Sequence, residues 1–308
     1  MDIKGLPKID LHCHLDGSLT KDMIQRYTGR AIESDILRVS ENCQSLAEYL
    51  EKFDIPLSCL QNEAGLYDGA YSLIQEVAKE NTKYIEVRFA PMLSVHETMS
   101  CHKVIEAVLK GLQKGKEDFG VHSNVITCAM RHHQMEQNLD MLNTAREYLG
   151  SGVCAIDLAG DEAQYPTRKF KELFLHAQKL DMPFVIHSGE TGSIENVRVA
   201  LELGAKRIGH GIALRQDKEL MKEYAKRGIG VEMCPTSNLQ TKAVESLESY
   251  PLKEFLDAGI LVSVNTDNRT VSHTSLTDEL NLVYELYGYD EQLIYKLLEN
   301  AEKTAFPF

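Results

Sequence analysis

Short runs rich in β-branched and apolar residues recur along the 308-residue chain. Between them lie longer stretches in which apolar positions return every three to four residues, the spacing of an amphipathic helix. Eight runs cover residues 8–12, 84–89, 123–128, 153–158, 184–187, 207–209, 230–233 and 261–265. Helical patterns occupy 104–116, 138–148, 168–180, 194–203, 218–226 and 252–257. This alternation predicts repeated βα units around a parallel sheet. Eight repeats predict a (β/α)8 TIM barrel, whose chemistry sits at the C-terminal ends of the strands.

The rhythm breaks twice. About seventy residues separate the first two runs, with helical patterns at 20–29, 45–52 and 67–80. That is far more than a minimal crossover needs, and it predicts a helical insertion able to roof the barrel mouth. After the last run, 275–287 and 291–303 read as two closing helices. No Pro/Gly/Ser-rich or charge-run segment divides the chain, so a single domain over 1–308 is expected.

Composition narrows the partners. A formal net charge of -13 without a Lys/Arg-rich tract argues against binding a phosphate backbone, so no nucleic acid is expected. Seven cysteines without a C-x-x-C pair make a poor disulfide framework and fit a reducing, cytoplasmic setting. No window approaches the roughly 20 apolar residues of a membrane span, and the N-terminus lacks a signal-peptide core.

The polar chemistry falls at the ends of the runs. Ile9-Asp10-Leu11-His12-Cys13-His14-Leu15-Asp16-Gly17-Ser18 closes the first, and His187-Ser188-Gly189-Glu190 the fifth. His210 follows the sixth, and Asn265-Thr266-Asp267-Asn268 the eighth. In an extended strand His12 and His14, two apart, face the same way and can grip one ion, while Cys13 turns to the other side and packs. Taken singly, each residue has a plainer reading. His187 and His210 suit strand-end imidazoles satisfied by backbone carbonyls, and Asp267 and Asn268 suit helix caps. Glu190 suits a solvated carboxylate, and Asp16 before Gly17 suits a turn. His132 and His133 read as a solvated loop pair outside the site. A barrel would bring the ends of strands one, five, six and eight around one mouth, and that convergence favours a catalytic metal. Imidazoles with a carboxylate suit Zn²⁺, which lowers the pKa of bound water to roughly 7, and Glu190 could move a proton beside it.

These segments, with Asp157-Leu158-Ala159-Gly160-Asp161-Glu162, Gly209-His210-Gly211 and Cys234-Pro235-Thr236-Ser237-Asn238, resemble in this order the signature segments of the adenosine deaminase family. The resemblance implies one zinc ion per subunit and hydrolysis of adenosine or 2′-deoxyadenosine to inosine or 2′-deoxyinosine and ammonia, in purine salvage. By position, His12, His14, His187 and Asp267 resemble the zinc ligands. Glu190 resembles the acid that protonates purine N1, and His210, with Asp267, the residues that orient the attacking hydroxide. His14, Asp16, Gly160 and Asn268 fall at substrate-binding positions: Asp16 at a ribose hydroxyl, the Gly160 N–H at purine N3, Asn268 at N7. Asn268 stands where the family often has Asp; its amide donates to N7 without first taking up a proton. A deaminase of adenine or of a modified adenosine, another metal-dependent amidohydrolase, or a barrel that binds nucleosides without turnover are the alternatives. Oligomeric state is not legible.

Overall fold

The structure, a computed structural model, describes residues 1–40 and 42–307. Its eight strands are β1 (Lys8–His14), β2 (Thr82–Phe89), β3 (His122–Met130), β4 (Val153–Ala159), β5 (Val185–Ser188), β6 (Arg207–His210), β7 (Gly230–Met233) and β8 (Leu261–Val264). All pair in parallel, in the orders β1-β2-β3-β4 and β5-β6-β7-β8. Two isolated parallel bridges, Ile156 to Phe184 and Cys13 to Asp267, join these halves at both edges. At the second, the His14 N–H donates to Asp267 O and the Asp267 N–H to His12 O, both at 2.7 Å. Every residue of β4, β5, β6 and β7 is buried, which accounts for near-continuous apolar runs rather than alternation.

The runs read from sequence match the strands, but several strands extend further. β1, β4, β5 and β6 continue through His14, Ala159, Ser188 and His210, carrying the polar motifs into the ladder itself. Helix limits follow local capping chemistry. Ser193 Oγ accepts from the Asn196 N–H to start Ile194–Leu203, and Gly204, at a φ of 84°, ends it. Asp217 starts Lys218–Arg227 in the same way. Between β1 and β2 the chain forms Lys21–Thr28, Ser34–Leu37, Leu46–Leu50, Asp54–Ser58 and Glu63–Ala78. The two short helices Ser34–Leu37 and Asp54–Ser58, and Pro235–Gln240 after β7, carry too few turns to show a period and were not legible. The closing helices are Leu276–Leu286 and Glu291–Thr304. All seven cysteines are unpaired and buried, and Cys13 packs in the main core. Among the described residues no helix is long and apolar enough to cross a membrane.

Candidate metal centre and active site

Parallel registry puts the ends of β1, β5, β6 and β8 around one point. His187 pairs with Gly209, and Gly209 with Glu232, so these positions share a level. The absence of a side chain at 209 matters: a Cβ there would lie 2.8 Å from His12 Cε1, so only glycine lets the His12 ring reach the centre. One ligand atom from each of His12, His187, His210 and Asp267 falls within 4.8 Å of the others, all buried. His14 lies outside this four-way group, unlike the sequence-based ligand set. Its Nε2 is nonetheless 3.2 Å from His187 Nε2 and 3.5 Å from Asp267 Oδ1. Five donors therefore surround one space. His210 and Asp267 adopt φ of 64° and 59°, left-handed conformations that non-glycine residues keep only where surrounding structure holds them.

Four of the five donors are held from behind. Glu232 Oε2 contacts His12 Nδ1 and Asp157 Oδ2 contacts His187 Nδ1, both at 2.8 Å, leaving each Nε2 for the centre. Such carboxylate–imidazole pairs fix ring orientation and tautomer in metal sites. Ser237 Oγ donates to Asp267 Oδ2 at 2.5 Å, and Asp267 Oδ1 faces His12 Nε2 at 3.4 Å. The Tyr250 hydroxyl donates to Asn238 Oδ1, and Asn238 Nδ2 donates to His210 Nδ1, both at 2.9 Å. That assignment leaves the neutral His210 proton on Nε2, facing the centre. Burial holds His14, His187 and His210 below the ordinary imidazole range, hence neutral. Burial alone would raise the Asp267 carboxyl, but the nearby His12 and the other surrounding imidazoles hold it well below the usual carboxylate range. His12 Nε2 is buried without a hydrogen-bond partner. An orphaned imidazole nitrogen among neutral imidazoles and a carboxylate is the donor set of a first-row divalent metal.

Beneath the centre lies a charged cluster in the strands. Arg88 donates to Asp157 Oδ2 (2.9 Å) and Glu232 Oε2 (2.8 Å), and Arg207 to Glu232 Oε1 (2.6 Å) and to Glu86. Arg88 thus ties together the two carboxylates that orient His12 and His187, with no exposed side-chain surface. Replacing it with Met leaves buried Asp157 without a guanidinium and Glu232 with Arg207 alone, and breaking a buried charge pair from one side costs about 3–5 kcal/mol. Arg88→Met is expected to lower the unfolding free energy by that amount, read as a lower urea midpoint at unchanged m-value; an unchanged midpoint contradicts this role.

A cavity of about 350 Å³ opens from the centre, and His14, Asp16, Gly160, His187, Glu190, His210, Asp267 and Asn268 all line it. His12, the remaining residue named from sequence, lies in the donor group rather than on the lining. Burial, then the Asp267 and Glu162 charges, push the Glu190 carboxyl up to about 8, and its Oε2 is 3.7 Å from His210 Nε2. Asp16, pushed by burial to about 6, and Asn268 each keep a buried Oδ1 without a partner. Gly17 makes room for Asn268, since a Cβ there would fall 1.8 Å from Asn268 Oδ1. Leu46, Leu50, Phe53 and Leu57, from the segment between β1 and β2, form an apolar part of the lining. His132 also lines the cavity, where the sequence placed it outside; His133 does not. No Lys or Arg is among the lining residues.

A buried His/His/His/Asp cluster at the carboxyl ends of parallel strands defines a metal-dependent hydrolase with the amidohydrolase fold. The family model for adenosine deaminase matches residues 7–307. The chain is 40% identical over 315 residues to an adenosine deaminase of Enterococcus faecalis, covering 99% of this chain and 93% of that protein. An adenine deaminase structure from Arthrobacter aurescens shares the fold at a TM-score of 0.88 and 22% identity, over 98% of this chain and 94% of that one. An Arabidopsis N6-mAMP deaminase structure superposes at 0.88 with 25% identity, over 99% and 95%. The chain belongs to the adenosine deaminase family of hydrolases.

Proposed function

We propose that this enzyme hydrolyses adenosine and 2′-deoxyadenosine to inosine and 2′-deoxyinosine with release of ammonia, using one zinc ion per subunit. We read residues 1–308 as one domain, a (β/α)8 barrel closed by the two edge bridges, with the helices between β1 and β2 as its roof. The observation that carries the reading is the buried cluster of His12, His187, His210 and Asp267, opening beside the buried acid Glu190 into a cavity with no Lys or Arg among its lining residues. The carboxylates of Asp16, Asp54 and Asp161 on that cavity disfavour a phosphate and favour a neutral nucleoside.

The orphaned His12 nitrogen and the neutral imidazoles fit zinc, with His12, His14, His187 and Asp267 as its ligands. When bound, zinc supplies a water that is ionised near neutral pH. His210 is assigned outside the ligand set because Asn238 occupies its Nδ1 and leaves Nε2 as a donor that orients the attacking water. Asp267, held by Ser237, orients the same water from the other side. C6 of adenine is a poor electrophile until N1 gains a proton. Glu190, kept protonated by burial, delivers it, as a general acid with a raised pKa does. The Gly160 N–H faces N3, the Asn268 amide donates to N7, Asp16 accepts a ribose hydroxyl, and His14 flanks the bound ring.

The test is turnover of adenosine, 2′-deoxyadenosine, adenine and AMP by the zinc-loaded enzyme, followed by the absorbance change as the 6-amino group becomes oxo. Adenosine and deoxyadenosine are expected to turn over at least about a hundredfold more efficiently in kcat/KM than adenine or AMP, because AMP brings a dianion to an acidic cavity and adenine leaves Asp16 unpartnered. Preference for adenine or AMP would replace the nucleoside reading with that substrate. Turnover of none would move the site to a modified nucleoside or to another amidohydrolase reaction.

A further inference from the structure

Glu190 projects from a tight turn after β5, and something must fix that turn. The Glu162 side chain, buried at 3% exposure, spans it. Its Oε2 accepts the N–H of Gly189 at 2.9 Å and its Oε1 that of Thr191 at 2.7 Å, the residues on either side of Glu190. Asn196 Nδ2 donates to the same carboxylate at 3.0 Å, while Asn196 Oδ1 accepts the Thr167 N–H at 2.9 Å. Arg131 holds the turn at its start, donating to His187 O at 2.7 Å. The carbonyl before the turn thus meets a guanidinium, and the amides around Glu190 meet a carboxylate. Charge-assisted bonds of this kind are short and directional. Two amides captured by one rigid acceptor leave the intervening residue little freedom. None of these contacts reaches the cavity, so Glu162 touches neither metal nor substrate.

We propose that Glu162 is a positioning residue for Glu190, a clamp that sets where the acid presents its proton. The inference rests on Glu190 being the acid of the reaction proposed above. A displacement near 1 Å at a reacting group can cost about a hundredfold in rate, whereas ground-state binding of the nucleoside depends on Asp16, Gly160 and Asn268 and is unaffected. Glutamine at 162 keeps the shape but turns an NH₂ toward one of the two amides, donor against donor. Aspartate keeps the charge but reaches only one amide.

The experiment is a double-mutant cycle on the zinc-loaded enzyme, combining Glu162→Gln and Glu162→Asp with Glu190→Gln. Glu162→Gln is expected to lower kcat for adenosine by about 10- to 100-fold, with KM changed by less than about threefold. Glu162→Asp is expected to recover part of that loss. In the Glu190→Gln background, Glu162→Gln is expected to add no further loss, because two residues acting as a unit are non-additive. Amide hydrogen exchange over residues 188–193 is read in parallel and is expected to accelerate in Glu162→Gln at unchanged zinc content and Tm. Additive losses in the cycle, or unchanged exchange in that segment, overturn the proposal. If Glu162→Gln does not fold, the same two readouts on Glu162→Asp decide. Were the wild type not to deaminate adenosine, the functional reading would fail while the exchange result still decided the clamp.

Discussion

Glu190→Gln is expected to lower kcat for adenosine by about 10²- to 10⁴-fold, the range that a positioned general acid contributes, with zinc content and thermal stability at wild-type values. Glutamine fills the same volume in a buried place and can still donate a hydrogen bond to purine N1, but it has no proton to transfer. The environment makes the wild-type residue suited to that step. Burial first, then the nearby Asp267 and Glu162 carboxylates, hold the carboxyl protonated up to about pH 8. The acid form is the active one, so kcat/KM is expected to fall as pH rises through the raised pKa, and that limb should vanish in the glutamine variant. A pH–rate profile of both enzymes checks this. Near-wild-type turnover by Glu190→Gln would assign N1 protonation to another group.

Removal of the metal is the second large effect. Without it the attacking water keeps its bulk pKa of about 15.7 instead of roughly 7, so activity after chelation should drop below detection and return with stoichiometric zinc. A bound ion would also hold folded geometry together, since the proposed ligands His12, His14, His187 and Asp267 converge on one space and His12 Nε2 has no hydrogen-bond partner. A ligand that binds only the folded chain stabilises it by about 4 kcal/mol at a thousandfold excess over Kd. Melting temperature should therefore fall on chelation and recover with zinc. Asp267→Ala is expected to lose both metal and activity. Glu232→Gln, which leaves every donor in place, should weaken zinc binding by about 10- to 100-fold. Metal titrations with a competing chelator distinguish the two.

Which parts of this site were legible in advance follows from where each residue's meaning resides. His12, His14, His187, His210, Asp267 and Glu190 stand at the ends of apolar runs, and metal-type side chains at such places are visible one segment at a time. The barrel rhythm then supplied the reason for them to meet. The supporting residues carry no such local sign. Glu232 and Arg88 sit inside the strands and Arg207 at the start of one, where each reads as a lone charge beside an apolar run, and Asp157 belonged to a recognised segment without a role. Only registry shows that Arg88 bridges Asp157 and Glu232, 69 and 144 residues away in the chain. A charged residue at an inward strand position was the available signal. Ser237 and Asn238 belonged to a recognised segment, yet their work, holding Asp267 and His210, depends on a short helix that Pro235 starts and that no periodicity announces. His132 was set aside because the direction of an exposed loop after β3 is decided by tertiary packing. The choice between His14 and His210 as the fourth ligand likewise turns on one hydrogen bond from Asn238 to an imidazole nitrogen, a contact 28 residues apart in sequence.

The proposed reaction turns on hydrolytic attack by water on C6 of a nucleoside at the His/Asp centre. Turnover of adenosine by the zinc-loaded enzyme in ¹⁸O-labelled water, with the nucleoside product analysed by mass spectrometry and ammonia measured alongside, tests it most directly. Inosine carrying one ¹⁸O at position 6 and one ammonia released for each adenosine consumed are the expected products. Absence of inosine, cleavage of the glycosidic bond to free base, or inosine without the label would contradict it.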